Sequence, residues 1–366
     1  MSGSVYGTLF TISTWGESHG EGIGVVVDGC PAGLPLEEHY IQTYLNRRKP
    51  GQTKYSTPRK EEDEVRILSG VFEGRTTGTP ISLVVYNENQ HSGDYTKIAS
   101  VYRPGHADYS FDMKYGFRDY RGGGRSSGRE TIGRVAAGAI ASAILKELGI
   151  RVQAYTLSIG DITIDRQKAN LTQIEASPLS MPDLEASNRA EEYLSEQMKE
   201  HNSIGGVIEC IASGMPVGIG EPVFNKLDAS LAKAVMSIGA VKGIEIGAGF
   251  HSAHLTGAEN NDAFFSDDKH SVNKRSNHAG GILGGISDGS DIILRAAIKP
   301  TPSIFRPQKT VNRNNENVEI QIQGRHDPII VPRAVVVVEA MVAITLVDQL
   351  FIAMTSRMDR IKDFYK

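Results

Sequence analysis

The residues best suited to chemistry lie in a cationic stretch that runs from Arg103 to Ile144. Between positions 114 and 134 this stretch has six lysines or arginines against two acidic residues, although the whole chain has a net charge of −4. A local excess of cations in a slightly acidic chain indicates a site for an anion. Three glycines at 122–124 leave the backbone open, so a ligand can approach closely there.

A helix start follows these glycines. Ser127 and Glu130 have the spacing of a capping box, which predicts a helix from there to about Leu148. Free N–H groups at a helix N-terminus, flanked by Arg125 and Arg129, would suit a phosphate or a carboxylate. The alternative is a glycine-rich loop that only caps a structural helix, because a single Gly/Arg loop is a weak motif.

Two histidines stand in turns where they could titrate. His106 lies in the turn 103–108, just upstream of the glycines, and His19 follows Ser18 in a glycine-punctuated turn at 14–20, after a predicted strand. A hydrogen-bonded structural histidine is the alternative for His19. No G-x-S-x-G surrounds Ser18, so the sequence does not predict an acyl-transfer triad.

Other polar and glycine-rich segments could complete an anion site. A basic run at 46–60 ends a predicted helix and could form a second wall of the anion pocket, or it could be a solvated face. The segment 277–285 is rich in glycine, 299–303 is a cationic cluster after a strand, and 324–328 follows another strand.

The elements that must position these residues alternate between strand and helix patterns, which predicts an α/β protein of the α+β kind. A single domain over 1–366 is expected. G-x-P-x-G turns at 29–33 and 214–218 both follow a strand and precede a helix, which hints at two similar halves within that domain. The segment 171–201 is predicted as a polar helical excursion on the surface, and 250–277 as a mobile loop or lid. Strands are predicted at 6–13, 23–28, 65–72, 81–86, 151–159, 207–212, 244–246, 291–298 and 318–323, and helices at 36–48, 130–148, 226–238 and 333–357.

Composition narrows the class of protein. The net charge argues against a nucleic-acid coat, and two cysteines in 366 residues favour a reducing compartment. The N-terminus has no signal-peptide pattern, and the apolar segment 334–346 is too short for a bilayer. A cytoplasmic protein with no membrane and no nucleic-acid partner is therefore expected.

Five motifs in order along the chain resemble chorismate synthase, and the resemblance extends from Tyr6 to about Gln349. The motifs are Gly16-Glu17-Ser18-His19-Gly20, Arg47-Arg48-Lys49-Pro50-Gly51, Arg103-Pro104-Gly105-His106-Ala107-Asp108, Arg125-Ser126-Ser127-Gly128-Arg129-Glu130 and Gly324-Arg325-His326-Asp327-Pro328.

The resemblance implies a lyase of the shikimate pathway that converts 5-enolpyruvylshikimate 3-phosphate to chorismate and phosphate. The family removes phosphate and a C6 proton in a 1,4 relation and needs reduced FMN, although the reaction has no net redox change. The implied fold is a β-α-β sandwich with helices between the sheets, and the implied assembly is a homotetramer. The sequence leaves open whether the chain reduces its own flavin with NAD(P)H.

The resemblance also implies roles for single residues. His106 would give a proton to the leaving phosphate, His19 would favour the ionic form of the reduced flavin, and Asp327 would act as the base near flavin N5. Ser18 and Ser127 would support these groups by hydrogen bonds. The implied substrate-binding residues are Arg48, Lys54, Arg103, Arg129 and Arg325, and the implied flavin-binding residues are Arg125, Ser126, Ser127, Gly239, Ala240, Gly284, Lys299, Pro300, Thr301, Pro302, Ser303 and Arg325.

Four positions depart from the family pattern. Gly128 replaces a frequent alanine, Gly239 replaces a frequent asparagine and so lacks a hydrogen-bonding side chain, and Pro302 interrupts a usual Lys-Pro-Thr-Ser-Ser. Lys54 stands where many members have arginine, which keeps the charge but loses bidentate geometry.

Two other classes of function stay open from the residues alone. The basic run and the Gly/Arg loop could bind a single-stranded nucleic acid, although such a function needs a wider basic excess with interleaved aromatic residues, and the net negative charge argues against it. The histidines at 251, 254 and 270 could belong to a metal hydrolase, although no ligand pattern surrounds them.

Overall fold

A computed structural model describes residues 3–56, 61–87, 99–268, 270–322 and 327–366. The first part of the chain builds one sheet and three helices. Its elements are β1 Val5–Tyr6, β2 Thr11–Gly16, β3 Gly22–Asp28, α1 Glu38–Arg48, β4 Val65–Ile67, β5 Val71–Phe72, β6 Arg75–Thr76, β7 Ile81–Tyr86, α2 Asp108–Tyr115 and α3 Thr131–Glu147.

The second part builds another sheet, several hairpins and a long central helix. Its elements are β8 Arg151–Ile159, β9 Ile162–Thr163, α4 Leu184–Lys199, β10 Gly206–Ser213, α5 Leu227–Met236, β11 Val241–Ile246, α6 Gly257–Asn260, β12 Phe264–Ser266, β13 Val272–Lys274, β14 Ile282–Leu283, β15 Ile286–Ser287, β16 Ile292–Ile298, β17 Gln308–Val311, β18 Asn317–Ile320, α7 Val331–Ala353 and α8 Met358–Phe364.

Among the described residues ten strands form two five-stranded antiparallel sheets, and the other eight pair as four two-stranded hairpins. The first sheet has the order β1-β2-β3-β7-β4 and the second has the order β11-β16-β10-β8-β9. Buried β-branched residues fill the middle strands, as expected for strands that pack against helices.

Helices fill the space between the sheets. A Cβ on Gly133 of α3 would lie 3.1 Å from the carbonyl oxygen of Gly24, so α3 packs directly on β3. A Cβ on Gly138 would lie 2.5 Å from Ala340 Cα, so α3 also packs closely on α7. Glu339 of α7 accepts the backbone N–H of Ala154 in β8 at 2.8 Å. These contacts confirm the predicted β-α-β sandwich with internal helices.

Helix α7 is the centre of the core. Its 23 residues make it the one helix in the described ranges that is long and apolar enough to cross a membrane by length and composition. It is longer than the apolar segment 334–346 suggested, yet 83% of its most apolar window is buried inside the protein. Neighbouring helices and β8 cover it, so it serves as a core helix.

The predicted strand at 6–13 is wrong in its centre. The chain turns between β1 and β2, where Asp348 of α7 accepts the backbone N–H groups of Thr8, Leu9 and Phe10 at 3.0, 2.7 and 3.0 Å. These three N–H groups bond a carboxylate 338 to 340 residues away in place of a neighbouring strand. The sequence pattern gives no sign of this long-range contact. The second strand then continues to Gly16, so the predicted turn at 14–20 begins later.

Helix α2 follows directly after the His106 turn and was missed by the sequence pattern. Its buried side chains are Asp108 and Asp112, whereas Tyr109 and Met113 are exposed. This inverts the usual amphipathic pattern, because arginines rather than apolar residues cover its inner face.

The segment predicted as an irregular loop or lid at 250–277 contains α6 and the β12–β13 hairpin. Buried Lys274 anchors the hairpin through ion pairs with Asp262 and Asp288 at 3.4 and 2.7 Å. Asp262 also accepts the backbone N–H groups of His278 and Ala279. Burial acts to raise the pKa of Asp262, but these donors and the Lys274 charge outweigh it and the pKa is lowered.

Helix α4 corrects the prediction of a surface excursion at 171–201. Ala186, Ala190 and Leu194 form a buried stripe with a spacing of four residues. The small alanines made this stripe weak in the hydrophobic pattern, although they fit a close helix contact.

Candidate active site

The candidate site begins at the turn after β2, which carries Ser18 and the buried His19. Gly122 lies directly over this turn. A Cβ on Gly122 would lie 2.8 Å from Ser18 Oγ and still closer to the imidazole ring of His19. Gly122 has φ +63°, which also favours glycine. The glycine-rich loop therefore brings its open backbone onto the serine and the histidine that the sequence indicated.

Arg125 fixes this loop to β2. Its guanidinium donates to the carbonyl oxygens of Gly16 and Thr14 at 3.1 and 3.2 Å and to Thr14 Oγ1 at 2.7 Å. A cation that bonds backbone carbonyls in this way orders the loop and keeps a positive charge at its centre. Next to it, Ser126 Oγ donates to the carbonyl oxygen of Gly123 at 2.7 Å.

The predicted capping box at Ser127 is wrong. Ser127 accepts the N–H of Arg129 at 3.3 Å and caps a short 3₁₀ turn, whereas Glu130 pairs with Arg134 at 3.0 Å. The α-helix itself starts at Thr131. Because the 3₁₀ turn rearranges the first N–H groups, Glu130 points along the helix instead of back to Ser127.

His106 lies in a second cluster. Its Nε2 is 2.8 Å from Ser303 Oγ, and Lys299 Nζ donates to the Gly105 carbonyl oxygen at 2.8 Å. A Cβ on Gly105 would lie 2.6 Å from Pro302 Cβ. The histidine turn is therefore packed against the cationic cluster 299–303, two segments almost 200 residues apart in the chain.

Arg103 connects the two clusters. Its Nε and Nη2 bond the Asp108 carboxylate at 2.8 Å each, and its Nη2 lies 3.9 Å from where a Cβ of Gly123 would stand. Burial acts to raise the pKa of Asp108, but the hydrogen bonds and charge of Arg103 outweigh it and lower the pKa. The bidentate pair fixes the Arg103 side chain beside the glycine-rich loop, while the Arg103 carbonyl oxygen accepts the His106 N–H at 3.2 Å.

The predicted flavin-binding segments only partly come together. Lys299 N–H donates to the Ala240 carbonyl oxygen at 2.9 Å, which joins Gly239 and Ala240 to the 299–303 cluster. No atom of the described residues lies within 4 Å of a Cβ built on Gly239 or on Gly284, their chain neighbours apart. Gly284, in the β14–β15 turn, has no described contact with the other segments.

The fit of a flavin phosphate to this cluster rests on one unsatisfied group. Thr301 Oγ1 is buried and has no hydrogen-bond partner among the described residues. A buried hydroxyl without a partner is uncommon in proteins, and a phosphate oxygen would satisfy it. Together with Lys299, Ser303 and the open space at Gly239, this hydroxyl fits a bound phosphate-bearing cofactor.

Two further candidate arginines share one carboxylate. Asp63 Oδ2 lies 2.7 Å from Arg48 Nη2, and Asp63 Oδ1 lies 3.1 Å from Arg129 Nη1. Arg129 also pairs with Glu61 and donates to Asn87 Oδ1 at 2.7 Å. Asp63 is fully buried at its side chain and has φ +49°, an uncommon conformation for aspartate. It therefore fixes the distance between the two arginines.

Asp327 stands after β18 and before α7, and Arg333 is a partner of its carboxylate at 2.5 Å. The prediction placed it beside Arg325, but Arg325 lies outside the described residues. The predicted strand at 318–323 ends at Ile320.

Lys54 is not brought together with the other candidates. It is 71% exposed at its side chain, lies over the Tyr55 ring at 4.8 Å, and its Nζ is 3.6 Å from Glu191. The contact with the Tyr55 hydroxyl, and then the Glu191 charge, raise the pKa of Lys54.

A cavity of about 930 Å³ is lined by residues from the end of α1, the start of β8 and the first turns of α7. Neither His19 nor His106 lines it, so the chemistry and the cavity do not coincide. Its cationic lining residues are Arg47, Lys49, Arg151 and Arg333.

Sequence reasoning missed the acidic partners of the site. Asp63 and Glu61 hold candidate arginines but stand in no recognised motif, and Asp108, which belongs to the 103–108 motif, had no predicted role. The basic residue Arg333, which pairs with Asp327, was missed as well. The acidic run 61–64 after the basic run was the one signal that could have indicated pairing. Within the described residues no group of three His, Cys, Asp or Glu could hold a metal ion.

Comparison with known families agrees with this geometry. The family model described as chorismate synthase matches residues 10–351. The chain belongs to the chorismate synthase family. Curated chorismate synthases are similar over its full length, with 68% identity over 366 residues for that of Lachnoclostridium phytofermentans, covering 100% of both chains. The chorismate synthase of Methanosarcina mazei is 53% identical over 353 residues, covering 96% of each.

The fold leads to the same family. A solved structure titled as the crystal structure of chorismate synthase superposes with a TM-score of 0.78 at 32% identity, covering 98% of this chain and 97% of that one. The chain is therefore a lyase of the chorismate-forming step of aromatic biosynthesis. The fold, the enzyme class and the reaction expected from the sequence motifs are confirmed.

Proposed function

We propose that this chain eliminates phosphate and the C6 proton from 5-enolpyruvylshikimate 3-phosphate with reduced FMN bound, and that both histidine clusters take part. The observation that supports this is the position of Arg103, which joins the His106–Ser303 cluster to the glycine loop over His19. A substrate with a phosphate and two carboxylates needs such preorganised cations.

The arginines bind the substrate anions in this proposal. Arg103, Arg48 and Arg129 are each held by a carboxylate, which fixes their guanidinium groups before the substrate arrives. Preorganisation lowers the entropy lost on binding and aligns the charges with the leaving phosphate. Arg325 would join them as a further cation, and Lys54, which lies apart from these arginines, would have to move to do so.

His106 would supply the proton for the leaving phosphate. The hydrogen bond between His106 Nε2 and Ser303 Oγ fixes the ring, and Lys299 holds the turn that carries it. General-acid help of this kind contributes typically about 10²–10⁴-fold. Ser18 and Ser127 would support the two clusters by hydrogen bonds.

Reduced FMN would lie against Arg125, Ser126 and Ser127 and against the segments at 239–240, 284 and 299–303. Bound there, it would supply electron density to an elimination that has no net redox change. His19, buried under the glycine loop, would stabilise the negative charge on that cofactor. Asp327 would act in the flavin N5 region as the base that lets the bound cofactor accept the C6 proton.

The proposed assembly is a homotetramer in the cytoplasm. Phe224, Phe250, Phe264 and Val272 are 92, 77, 58 and 74% exposed, which is typical of surfaces that another chain covers. The cysteines Cys30 and Cys210 are buried and unpaired, as in a reducing compartment. Sedimentation velocity tests the assembly, and a monomer at micromolar concentration would contradict it.

The decisive experiment measures phosphate release from the named substrate under anaerobic conditions. We expect release with dithionite-reduced FMN and none with oxidised FMN or without flavin. A chelator should leave the rate unchanged, and loss of the rate in chelator would favour the metal hydrolase instead. Equal release without flavin would contradict the proposal.

A further inference from the structure

Arg134 of α3 links the start of that helix to the end of α5. Its Nε contacts both carboxylate oxygens of Glu130, at 3.0 and 3.1 Å. Its Nη1 donates to Ser237 Oγ at 2.6 Å, and its Nη2 donates to the Ser237 carbonyl oxygen at 3.2 Å. The Arg134 side chain is 17% exposed. One largely buried guanidinium therefore connects two segments that are 103 residues apart in the chain.

Each end of this link stands directly beside a segment that would hold the flavin. Glu130 ends the short 3₁₀ helix that follows the loop 125–127. Ser237 follows α5 and opens the turn 237–240, which contains Gly239 and Ala240. Arg134 thus fixes the position of the turn 237–240 relative to the loop 125–127.

The turn 237–240 is strained and is held at its far end as well. Ala240 has φ +72°, a left-handed conformation that is unfavourable for a residue with a Cβ. Its carbonyl oxygen accepts the N–H of Lys299 at 2.9 Å. Among the described residues, the N–H groups of Gly239 and Ala240 have no hydrogen-bond partner, so a ligand can use them. Backbone strain persists where surrounding contacts impose it, and it is concentrated at ligand sites.

Helix capping alone is the alternative explanation for Arg134. The Ser237 carbonyl lies at the C-terminus of α5, where a carbonyl has no intrahelical donor and a cation is favourable. Such a cap would stabilise α5 whatever conformation the next residues adopt. It therefore does not account for the strained conformation of Ala240, three residues beyond the cap.

We propose that Arg134 is a positioning residue of the flavin site, which holds the turn 237–240 at a fixed distance from the loop 125–127. The inference rests on the proposed function, because it takes both segments as the ones that bind FMN. Arg134 acts through Glu130 and Ser237 and does not itself contact the flavin. A turn that is held in place before FMN arrives needs no ordering on binding, and this raises the affinity.

The test compares Arg134→Met and Arg134→Lys with Arg47→Met as the matched control. Arg47 forms a bidentate ion pair with Glu339 at 2.7 and 2.9 Å, and so links α1 to α7 instead of the two flavin-binding segments. The affinity for FMN is measured by titration, aerobically for the oxidised form and anaerobically for the reduced form. Phosphate release over a range of reduced-FMN concentrations and Tm are measured on the same samples.

We expect Arg134→Met to weaken the binding of both forms of FMN by about tenfold, because the turn must then be ordered on binding. Phosphate release should need about tenfold more FMN, yet its rate at saturating FMN should fall by less than about threefold. Arg134→Lys should lose less affinity, since its ammonium keeps the charge but lacks the planar fork that holds Glu130 and Ser237 together. Arg47→Met should lower Tm and leave the FMN affinity unchanged.

A double variant separates positioning from a general loss of structure. Glu130→Gln removes the charge that anchors Arg134, so by itself it should weaken FMN binding. Combined with Arg134→Met it should weaken binding no further than Arg134→Met alone, and additive losses would overturn the inference. An Arg134→Met variant with normal FMN affinity and only a lower Tm would also overturn it, because that is the result expected of a helix cap.

The remaining outcomes decide as well. An equal loss of FMN affinity in Arg47→Met would overturn the inference. If Arg134→Met does not fold, a normal affinity in folded Arg134→Lys overturns it, and a weakened one supports it. A wild-type chain that neither binds FMN nor releases phosphate with it would refute the proposed function, and the inference with it. If the wild-type chain does both and Arg134→Met binds FMN equally well, the inference alone is refuted.

Discussion

Replacing Gly122 by alanine perturbs the candidate site at one defined contact. The new methyl group would lie 2.8 Å from Ser18 Oγ and closer still to the His19 ring, whereas ordinary contact begins at 3.4 Å. The ring must therefore withdraw, by on the order of 1 Å, because a packed interior does not absorb such an overlap. A displacement of this size lowers a catalytic rate by about 10²-fold.

A second effect of the same substitution must be separated from the steric one. Gly122 has φ +63°, so alanine there also carries a backbone strain of roughly 1–2 kcal/mol. Gly124 in the same loop has φ +52°, but its Cβ would meet only Asp119, at 3.8 Å. Gly124→Ala therefore shares the strain without the clash and is the matched control.

The assay is anaerobic phosphate release together with the absorbance of the reduced flavin in the ternary complex. We expect Gly122→Ala to lose about 10²-fold in rate and to change the flavin spectrum, because the His19 ring has moved. Gly124→Ala should keep the spectrum and most of the rate, with a lower Tm. Equal effects of the two variants would refute the reasoning, since strain alone would then explain both.

Three further outcomes are expected. Gly138→Ala should lower the free energy of unfolding, measured in urea, by about 1–3 kcal/mol, because the new Cβ would stand 2.5 Å from Ala340 Cα. In Gly128→Ala the new Cβ meets no atom of the described residues within 4 Å, so this control should be neutral. Equal free energies of unfolding for the two variants would contradict the helix packing. Gly239→Asn should tighten FMN binding several-fold, because one added hydrogen bond contributes about 0.5–1.5 kcal/mol. An unchanged affinity when FMN is titrated into the variant would place the flavin elsewhere. Asp262→Asn should lower Tm at pH 7, because the pKa of Asp262 is lowered in the folded state and its carboxylate therefore stabilises the fold at pH values above the unfolded-state pKa. This stabilisation is lost on acidification, so the loss of Tm should be smaller below pH about 4. A Tm difference that does not change with pH would refute the assignment.

Much of the fold could be predicted because long strands and helices carry their periodicity locally. Strands β7 and β8 have the predicted bounds, and α1, α3 and α5 lie within a few residues of theirs. The failures occur where a distant side chain replaces local pairing. Asp348 breaks the first strand, and the arginines around α2 invert its pattern. The similarity of the two halves of a single domain stays a proposal.

The candidate site was predictable only in its motif residues. Glycines and arginines in ordered motifs identified the loop at 122–129 and the turn at 103–108, and the structure joins them through Arg103. The residues that hold them, such as Asp63 and Arg333, carry ordinary residue types at no fixed spacing. Their function exists only in contacts between segments far apart in the chain, so composition and periodicity do not indicate them.

The division of roles between the two histidines is the central claim, and one paired measurement tests it most directly. Single-turnover phosphate release and reduced-flavin absorbance are recorded together, anaerobically, on His106→Ala and His19→Ala. We predict that His106→Ala slows phosphate release by about 10²–10⁴-fold with a nearly unchanged flavin spectrum, and that His19→Ala changes the spectrum. Normal phosphate release by His106→Ala, or the same spectral change in both variants, would contradict it.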